Sequence, residues 1–253
     1  MTIFQDETIW IVGASSGIGR SLAVALAADG AKLILSARRS SELEVLNREL
    51  GGRHLVLPFD VGERSAADRM IETINNEAFV IDRAIFLPAL YEPQTIEKLD
   101  IEFAEKLLRV NVLGCFAFAK ALMTYYKKLQ HRDRKRQLAI CGSIAAYMGL
   151  PNGQPYSASK AAVQNFTESL YAEAPSYIDV KLISPGFVRT RITDKNDYNM
   201  PFIMSVEEAA MRIKKGLLSN RFEIHFPKRL TWQLKLLTFL PYKLSLIITK
   251  HIS

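Results

Sequence analysis

The stretch TIWIVGASSGIG, residues 8–19, joins an apolar run to a glycine-rich turn. Thr8–Val12 has the composition of a buried strand, and a helical pattern begins at Ile18. Glycine permits a tight turn and a close approach of the backbone to a pyrophosphate, and the first N–H groups of a helix attract anions. The turn therefore predicts a nucleotide site formed by Gly13, Ser15, Ser16, Gly17, Ile18 and Gly19. The alternative is a turn that only connects strand and helix.

Segments typical of strands and helices alternate along the rest of the chain. The predicted strands are Thr8–Val12, Lys32–Ser36, His54–Leu57, Arg83–Leu87, Gln137–Gly142, Ile178–Ile183 and Arg221–Phe226. Alternation with near-continuous apolar strands is typical of a parallel sheet covered by helices on both faces. We therefore expect a single α/β domain over residues 1–227. Its fold would be doubly wound and Rossmann-like, with a mostly parallel seven-stranded sheet, followed by an amphipathic helical tail over residues 228–253.

The composition is that of an ordinary folded protein. Of 253 residues, 49% are hydrophobic and 23% are charged, which argues against disorder. Two cysteines cannot form a disulfide framework, so we expect a reducing compartment and a cytoplasmic protein. Four scattered histidines have no metal-ligand spacing. No apolar run reaches the roughly 18 residues of a membrane span, and we expect no secretory signal.

The basic residues are concentrated near the C-terminus. The net charge is +7, but residues 212–253 hold nine basic residues against one acidic residue. A second basic run, residues 127–136, is interpreted as the end of a helix and the loop after it, with a binding patch as the alternative. Neither run contains a nucleic-acid-binding motif. We therefore expect no nucleic-acid partner.

The end of the second predicted strand indicates which nucleotide is bound. Sites for NAD usually carry an acid there, which binds the ribose 2′-hydroxyl. In this chain Ala37 follows the strand, and Arg38 and Arg39 come next. A guanidinium can pair with a 2′-phosphate, so NADP(H) is predicted with Arg38 as its contact. The alternative is that Arg38 is a solvated loop residue.

Tyr156 and Lys160 are four residues apart on a predicted helix and share one face. A nearby ammonium favours the phenolate form of a tyrosine, so Tyr156 could exchange a proton with a substrate oxygen. Tyr177 and Lys181 have the same spacing but adjoin a strand, where four residues span roughly 13 Å. We set that second pair aside.

Two further polar residues lie at breaks in the pattern. Ser143 follows the predicted strand Gln137–Gly142, and the C-terminal ends of parallel strands form the ligand crevice. Its hydroxyl could hold a substrate carbonyl oxygen beside Tyr156. Asn111 lies between two predicted helical stretches, 97–109 and 112–129. It is a candidate site residue or a polar residue at a kink.

Taken together, these motifs resemble the short-chain dehydrogenase/reductase family over about residues 5–227. The matching positions are Gly13-Ala-Ser-Ser-Gly17-Ile-Gly19, Asp60-Val61, Asn111, Ser143, Tyr156-x-x-x-Lys160 and Pro185-Gly186-x-Val188-x-Thr190. The resemblance implies hydride transfer between NADP(H) and a carbonyl/alcohol pair. It also implies a homodimer or homotetramer.

The resemblance assigns roles to the matching residues. Tyr156 would be the acid/base, and Lys160 would lower its pKa and bind the nicotinamide ribose. Ser143 would orient the carbonyl, and Asn111 would support a proton-relay water. Asp60 would contact the adenine. The remaining cofactor contacts would come from Val61 and, beside the nicotinamide, from Pro185, Gly186, Val188 and Thr190.

One motif departs from the family pattern. After the fourth strand the family usually has Asn-Asn-Ala-Gly, whereas this chain has Phe86-Leu87-Pro88-Ala89. The asparagines normally brace the sheet and the adenosine side of the cofactor, so the change bears on cofactor affinity. Because Ser143, Tyr156 and Lys160 are all present, we expect an active enzyme.

The segment after Thr190 and the C-terminal tail bear on the substrate and its source. Met200–Met204 is apolar, and Met and Phe adapt to an apolar ligand, which favours a bulky, apolar carbonyl or alcohol as the small-molecule substrate. The alternative is that these residues only pack the loop.

In the tail, Lys228, Lys235, Lys243 and Lys250 are spaced 7, 8 and 7 apart, with Leu, Ile, Phe and Trp on the other faces. This pattern is typical of a helix lying in a membrane surface, and Pro241 is predicted to split it. Three interpretations stay open for residues 228–253: peripheral contact with the inner face of a membrane, a subunit interface, and a cover over the pocket.

The leading hypothesis from the sequence is an NADPH-dependent carbonyl reductase, or the reverse alcohol dehydrogenase, acting on an apolar, lipid-derived substrate. A 3-oxoacyl-thioester reductase is the enzymatic alternative, and it would need a channel for a pantetheine arm. A non-catalytic NADP(H)-binding regulatory protein is the alternative of another class. Only the altered Phe86–Ala89 motif supports that third hypothesis.

Overall fold

The apolar run Thr8–Val12 forms the first strand, β1, and every residue of it is buried in the computed structural model. Ile9 and Ile11 pack into one core, whereas Trp10 and Val12 pack into the other. This alternation is the two-residue period of a strand, and burial on both faces requires a helical layer on each side. The structure describes residues 3–77, 79–129 and 135–250, so residues 130–134 of the second basic run lie outside it.

Seven strands of the described chain pair in parallel in the order β3-β2-β1-β4-β5-β6-β7. After β1 they are β2 Lys32–Ser36, β3 Leu55–Val56, β4 Arg83–Phe86, β5 Arg136–Cys141, β6 Ile178–Pro185 and β7 Glu223–Phe226. The predicted doubly wound sheet is therefore confirmed, although β3, β4 and β7 are shorter than predicted. The strand order reverses between β1 and β4, which is where ligands bind in such sheets.

Helices cover both faces of the sheet. In chain order they are α1 Gly17–Ala28, α2 Ser40–Glu49, α3 Ala66–Asn76, α4 Ile101–Leu108, α5 Gly114–Lys128, α6 Tyr156–Glu173, α7 Val206–Leu217, α8 Lys228–Thr238 and α9 Tyr242–Lys250. Buried side chains of α1, α2 and α7 fill one core with Ile9 and Ile11. Those of α3, α5 and α6 fill the other core with Trp10 and Val12.

A π-helical turn, Arg109–Leu113, joins α4 to α5 at the predicted break near Asn111. By length and composition alone, the combined stretch Ile101–Lys128 could cross a membrane, with a mean hydropathy of 1.4 in its most apolar window. This corrects our expectation that no segment reaches that length. Half of the window is buried, and α5 packs against α3 and β5 as a helix of the core.

The predicted split of the tail at Pro241 is confirmed, since α8 ends at Thr238 and α9 begins at Tyr242. Leu230 and Leu234 on α8 pack against Ile144, Tyr147, Met148 and Phe187 of the domain. The lysine stripe is interrupted, because Lys235 forms an ion pair with Glu223 of β7.

An aromatic cluster occupies the centre of the second core. The ring centroids of Trp10 and Phe118 are 4.9 Å apart, those of Phe86 and Phe118 are 5.2 Å apart, and Phe59 lies 6.1 Å from Trp10. Trp10 also donates a hydrogen bond of 2.9 Å from Nε1 to Ser36 Oγ. Phe118 therefore links α5 to β1 and β4 together.

We predict that Phe118→Ala lowers the free energy of unfolding by about 3–5 kcal/mol, since Phe118 is buried and its loss leaves a cavity between α5 and the sheet. Urea-induced unfolding measures this change. Phe239→Ala makes the same chemical change at a side chain that is 85% exposed, and it should have an effect within about 0.5 kcal/mol. Equal losses in the two variants would contradict a bracing role for Phe118.

Candidate active site

A cleft of about 1040 Å³ runs along the edge of the sheet where β1, β2, β4, β5 and β6 end. It is lined at one end by the glycine-rich turn and at the other by Ser143, Tyr156 and Lys160. The other predicted site residues on its wall are Gly13, Ser15, Ser16, Gly17, Ile18, Gly19, Arg38, Asp60, Val61, Pro185, Gly186, Val188 and Thr190. Asn111 is also a predicted site residue, but it is buried and does not line the described cleft.

The glycine-rich turn folds tightly against the start of α1. A Cβ at Gly19 would lie 2.1 Å from the backbone oxygen of Gly13, so only glycine fits there. Gly17 has a φ of +54°, and a Cβ on it would lie 3.3 Å from Thr190 Cγ2. Ser16 is the N-cap of α1, but its side chain makes no capping hydrogen bond. The first N–H groups of α1 therefore remain available for an anion in the cleft.

Two arginines follow β2, and they differ in their partners. Arg39 forms an ion pair of 2.7 Å with Glu42. Arg38 is exposed on the cleft wall, and among the residues that the structure describes it has no ion pair or hydrogen bond. Arg38 is thus the guanidinium available to a ligand at this end of the cleft.

Asp60 and Val61 lie between Arg38 and the start of α5. Asp60 Oδ1 accepts a hydrogen bond of 2.8 Å from the backbone N–H of Gly62. A Cβ at Gly114 would lie 2.6 Å from the carbonyl oxygen of Val61, so the turn after β3 packs directly on α5. These contacts hold both residues on the cleft wall.

Ser143, Tyr156 and Lys160 come together at the end of β5. Ser143 Oγ accepts a hydrogen bond of 3.1 Å from the backbone N–H of Ala145 and interacts with the Tyr156 phenol. Lys160 is only 1% exposed, and its Nζ donates to the carbonyl oxygen of Cys141 at 2.8 Å. The same Nζ lies 5.7 Å from the centroid of the Tyr156 ring. The sequence-predicted trio therefore forms one cluster.

Burial raises the pKa of Tyr156 above its usual value. The ammonium of Lys160 and the hydrogen bond with Ser143 both lower this pKa, but burial outweighs them. Lys160 thus acts on the pKa of Tyr156 in the predicted direction, and burial of the ring opposes it. The phenol is protonated at neutral pH as a result.

Asn111 is 1% exposed and uses its side-chain amide inside the protein. Its Oδ1 accepts from the backbone N–H of Leu90 at 2.7 Å, and its Nδ2 donates to the carbonyl oxygen of Leu90 at 3.0 Å and to Ser159 Oγ at 3.1 Å. Asn111 therefore ties the segment after β4 to α6, one residue from Lys160. Its side chain holds the segment after β4 against α6, and its support of a proton-relay water stays a prediction.

The altered motif Phe86–Ala89 is built into the fold by apolar packing. Phe86 belongs to the aromatic cluster, and the Leu87 N–H donates to the Val12 carbonyl oxygen at 3.0 Å. A Cβ at Gly13 would lie 3.3 Å from Leu87 Cβ, so the motif packs directly against the glycine-rich turn. Leu87, Pro88 and Ala89 also line the cleft.

Sequence reasoning missed a contact between two irregular segments at the mouth of the cleft. The Tyr91 ring packs edge-on against Tyr156 at 4.9 Å, and its hydroxyl donates to Asn196 Oδ1 at 2.6 Å. Lys195 Nζ donates to the Tyr91 carbonyl oxygen at 3.1 Å and forms an ion pair with Glu92. No periodic pattern marks these residues, so the sequence contained no signal for them.

The apolar lining differs from the predicted one. The segment Met200–Met204 is absent from the described cleft wall. Its last residue, Met204, is buried in the core and forms an isolated β-bridge with Val188. This favours the alternative that the segment packs the loop. The wall near Ser143 is instead lined by Tyr91, Ile144, Leu150, Phe187, Ile192 and Tyr198.

The sequence matches the short chain dehydrogenase family over residues 7–200. The 7beta-hydroxysteroid dehydrogenase of Clostridium sardiniense is 34% identical over 219 residues, which are 84% of this chain and 80% of that protein. The family match covers most of the chain, and so does this identity. The similarity therefore extends to the amino-acid sequence as well as to the fold.

Two solved structures have the same fold. A short chain dehydrogenase/reductase from Burkholderia phymatum in complex with NAD has a TM-score of 0.82 at 19% identity, covering 93% of this chain and 94% of its own. A gluconate 5-dehydrogenase from Burkholderia cenocepacia J2315 in complex with NADP and tartrate has a TM-score of 0.80 at 20% identity, covering 91% and 97%. Both similar structures hold a nicotinamide nucleotide, and the two nucleotides differ.

We predict that Lys160→Met raises the pKa of Tyr156 further, because the substitution removes the main group that opposes burial. The measurement is the pH dependence of the phenol carbon signal in protein labelled with carbon-13 at tyrosine. Lys98→Met removes an exposed ammonium elsewhere and should leave the signal unchanged. A lower Tyr156 pKa in the Lys160 variant would refute the assigned interaction.

Proposed function

This chain belongs to the short-chain dehydrogenase/reductase family of oxidoreductases, and we propose that it transfers a hydride between NADP(H) and the carbonyl or alcohol group of an apolar, lipid-derived substrate. The observation that carries this proposal is one continuous cleft. It holds the glycine-rich turn, the guanidinium of Arg38, which has no partner among the described residues, and the cluster of Ser143, Tyr156 and Lys160.

The described residues of the cleft fit a nicotinamide dinucleotide. The turn at Gly13–Gly19 and the N-terminus of α1 would hold the pyrophosphate, because the turn is tightly packed and no side chain caps the first N–H groups of α1. Asp60 would contact the adenine, and Lys160 would bind the nicotinamide ribose. The segment Pro185–Thr190 would flank the nicotinamide, which supplies or accepts the hydride when bound.

The preference for NADP(H) rests on charge at the end of β2. Arg38 has no protein partner in the described residues, and a guanidinium binds a phosphate through paired hydrogen bonds. Glu42, which also lines the cleft, is already paired with Arg39 and so is partly neutralised. A 2′-phosphate would therefore meet net positive charge.

The state of Tyr156 favours carbonyl reduction. Burial raises the pKa of Tyr156, so its phenol carries the proton that it must donate to the forming alkoxide in reduction. Ser143 would hold the same substrate oxygen through its hydroxyl. Lys160 would stabilise the phenolate left behind, because its ammonium favours the charged form.

The lining of the cleft supports an apolar substrate. Aromatic rings of Tyr91, Phe187 and Tyr198 form the wall beside the reacting groups, and the Phe187 and Tyr198 centroids are 6.2 Å apart. Leu230 and Leu234 of α8 pack behind this wall. The relative from Clostridium sardiniense is named for a hydroxysteroid, which is a compact apolar alcohol, and this likeness favours the same class here.

We predict that the protein binds NADPH more tightly than NADH in a fluorescence titration, and that Arg38→Gln weakens NADPH binding about 10- to 100-fold, the value of a hydrogen-bonded charge pair of about 1.5–3 kcal/mol. NADH binding should stay unchanged. Arg48→Gln is the matched control, because Arg48 is exposed on α2 and is absent from the described cleft wall. A tighter NADH complex in the parent protein would refute the preference. Binding of neither nucleotide would mean that Phe86–Ala89 has disabled the site.

We predict that Tyr156→Phe lowers the rate of NADPH oxidation with apolar ketones by about 10²- to 10⁴-fold, the usual contribution of a general acid. NADPH binding should be retained, since the substitution removes one hydroxyl. Tyr171→Phe, at a half-exposed ring on α6, is the control and should retain full activity. Undiminished turnover of Tyr156→Phe would refute the mechanism, and activity confined to 3-oxoacyl thioesters would refute the substrate class.

A further inference from the structure

The outer face of α8 is an exposed apolar stripe with a basic end. Arg229, Trp232, Leu236 and Phe239 are spaced 3, 4 and 3 residues apart, so they share one side of the helix. All four are exposed, and Phe239 is 85% exposed. The opposite side carries the buried residues Leu230, Thr231 and Leu234. The stripe is therefore additional to the apolar side that packs on the domain.

Helix α9 has the reverse of the usual orientation for a helix that faces water. Its buried residues are the hydroxyl residues Ser245 and Thr249, whose side chains bond only to carbonyl oxygens of the same helix in the described contacts. Its large aliphatic residues are exposed: Leu244, Leu246, Ile247 and Ile248. This orientation leaves a broad apolar surface that water does not favour.

The charge of the tail indicates what covers that surface. Residues 228–250 contain five basic residues and no acidic residue. Lys235 is neutralised by Glu223, which leaves Lys228, Arg229 and Lys243 as a positive rim. A second copy of the chain, related by a two-fold axis, would bring two such rims together, and their positive charges would repel each other. An apolar layer with negative charge at its surface fits both features.

We propose that the outer face of α8 and α9 docks on a bilayer surface that carries anionic lipids. Trp232, Phe239 and Tyr242 would lie at the level of the head groups with the aliphatic residues of α9 below them, as in helices that lie in a membrane interface. Arg229 and Lys243 would contact the lipid phosphates.

A polar network fixes α8 to the domain, so the docking face has a defined orientation. Glu223 on β7 binds both Lys235 and the Tyr147 hydroxyl. His225 Nδ1 lies 2.7 Å from Thr231 Oγ1, and burial lowers the pKa of His225 to about 4, so the ring is neutral. Because the inner side of α8 packs on Ile144 and Phe187, docking would bring the cleft wall within about one helix diameter, 10–12 Å, of the lipid.

The test is co-sedimentation of the full chain with vesicles of phosphatidylcholine alone or mixed with phosphatidylglycerol. We expect binding to the mixed vesicles that weakens with added salt. The double variant Arg229→Gln with Lys243→Gln should weaken binding to the mixed vesicles on the order of 30-fold. Each lost charge contributes about 1 kcal/mol, and about 1.4 kcal/mol corresponds to a tenfold change in affinity. Phe239→Ser combined with Leu246→Ser should weaken it at least as much. Lys98→Gln with Lys215→Gln, two exposed lysines outside the tail, is the matched control and should bind as the parent does.

These point variants leave the inner side of α8 intact, and unchanged NADPH binding would verify that they are folded. The proposal is overturned if the parent protein stays in the supernatant with both kinds of vesicle, or if the Phe239 and Leu246 variant binds as well as the parent. A variant that loses an oligomer in size-exclusion chromatography while its vesicle binding is unchanged would assign the face to a second copy instead.

Discussion

The parallel pairing of β1 with β2 on one side and β4 on the other is the constraint on which the rest of the structure depends. Because these strands point the same way, the segments after them all leave the sheet at one edge. The turn after β1 and Ser143 after β5 therefore reach a common cleft, although they are far apart in sequence. The same pairing buries β1 on both faces and so requires the two helical layers.

The residues that could be predicted from the sequence are those whose local pattern decides their place. The glycine-rich turn, the strand ends and the Tyr156/Lys160 spacing are of this kind, because each depends on neighbours within a few residues. The contact between Tyr91 and Asn196 joins irregular segments more than one hundred positions apart. Such a pairing has no period, and only the folded chain reveals it.

Burial is the second quantity that local patterns cannot supply. The spacing of Tyr156 and Lys160 correctly indicated an ammonium beside a phenol, but the loss of water around the ring has the larger effect on the pKa of Tyr156. The tail has the same limitation. Its helical period was evident, yet which side of α9 faces the protein depends on what α8 and the domain leave uncovered, and the hydroxyl residues face inward.

The aromatic cluster has a thermal consequence. The centre of the sheet is braced by the rings of Phe86, Phe118 and Trp10. The stabilisation from apolar burial weakens as temperature falls, because its driving force is mainly the entropy of water. The apolar support for the glycine-rich turn is therefore weaker in the cold.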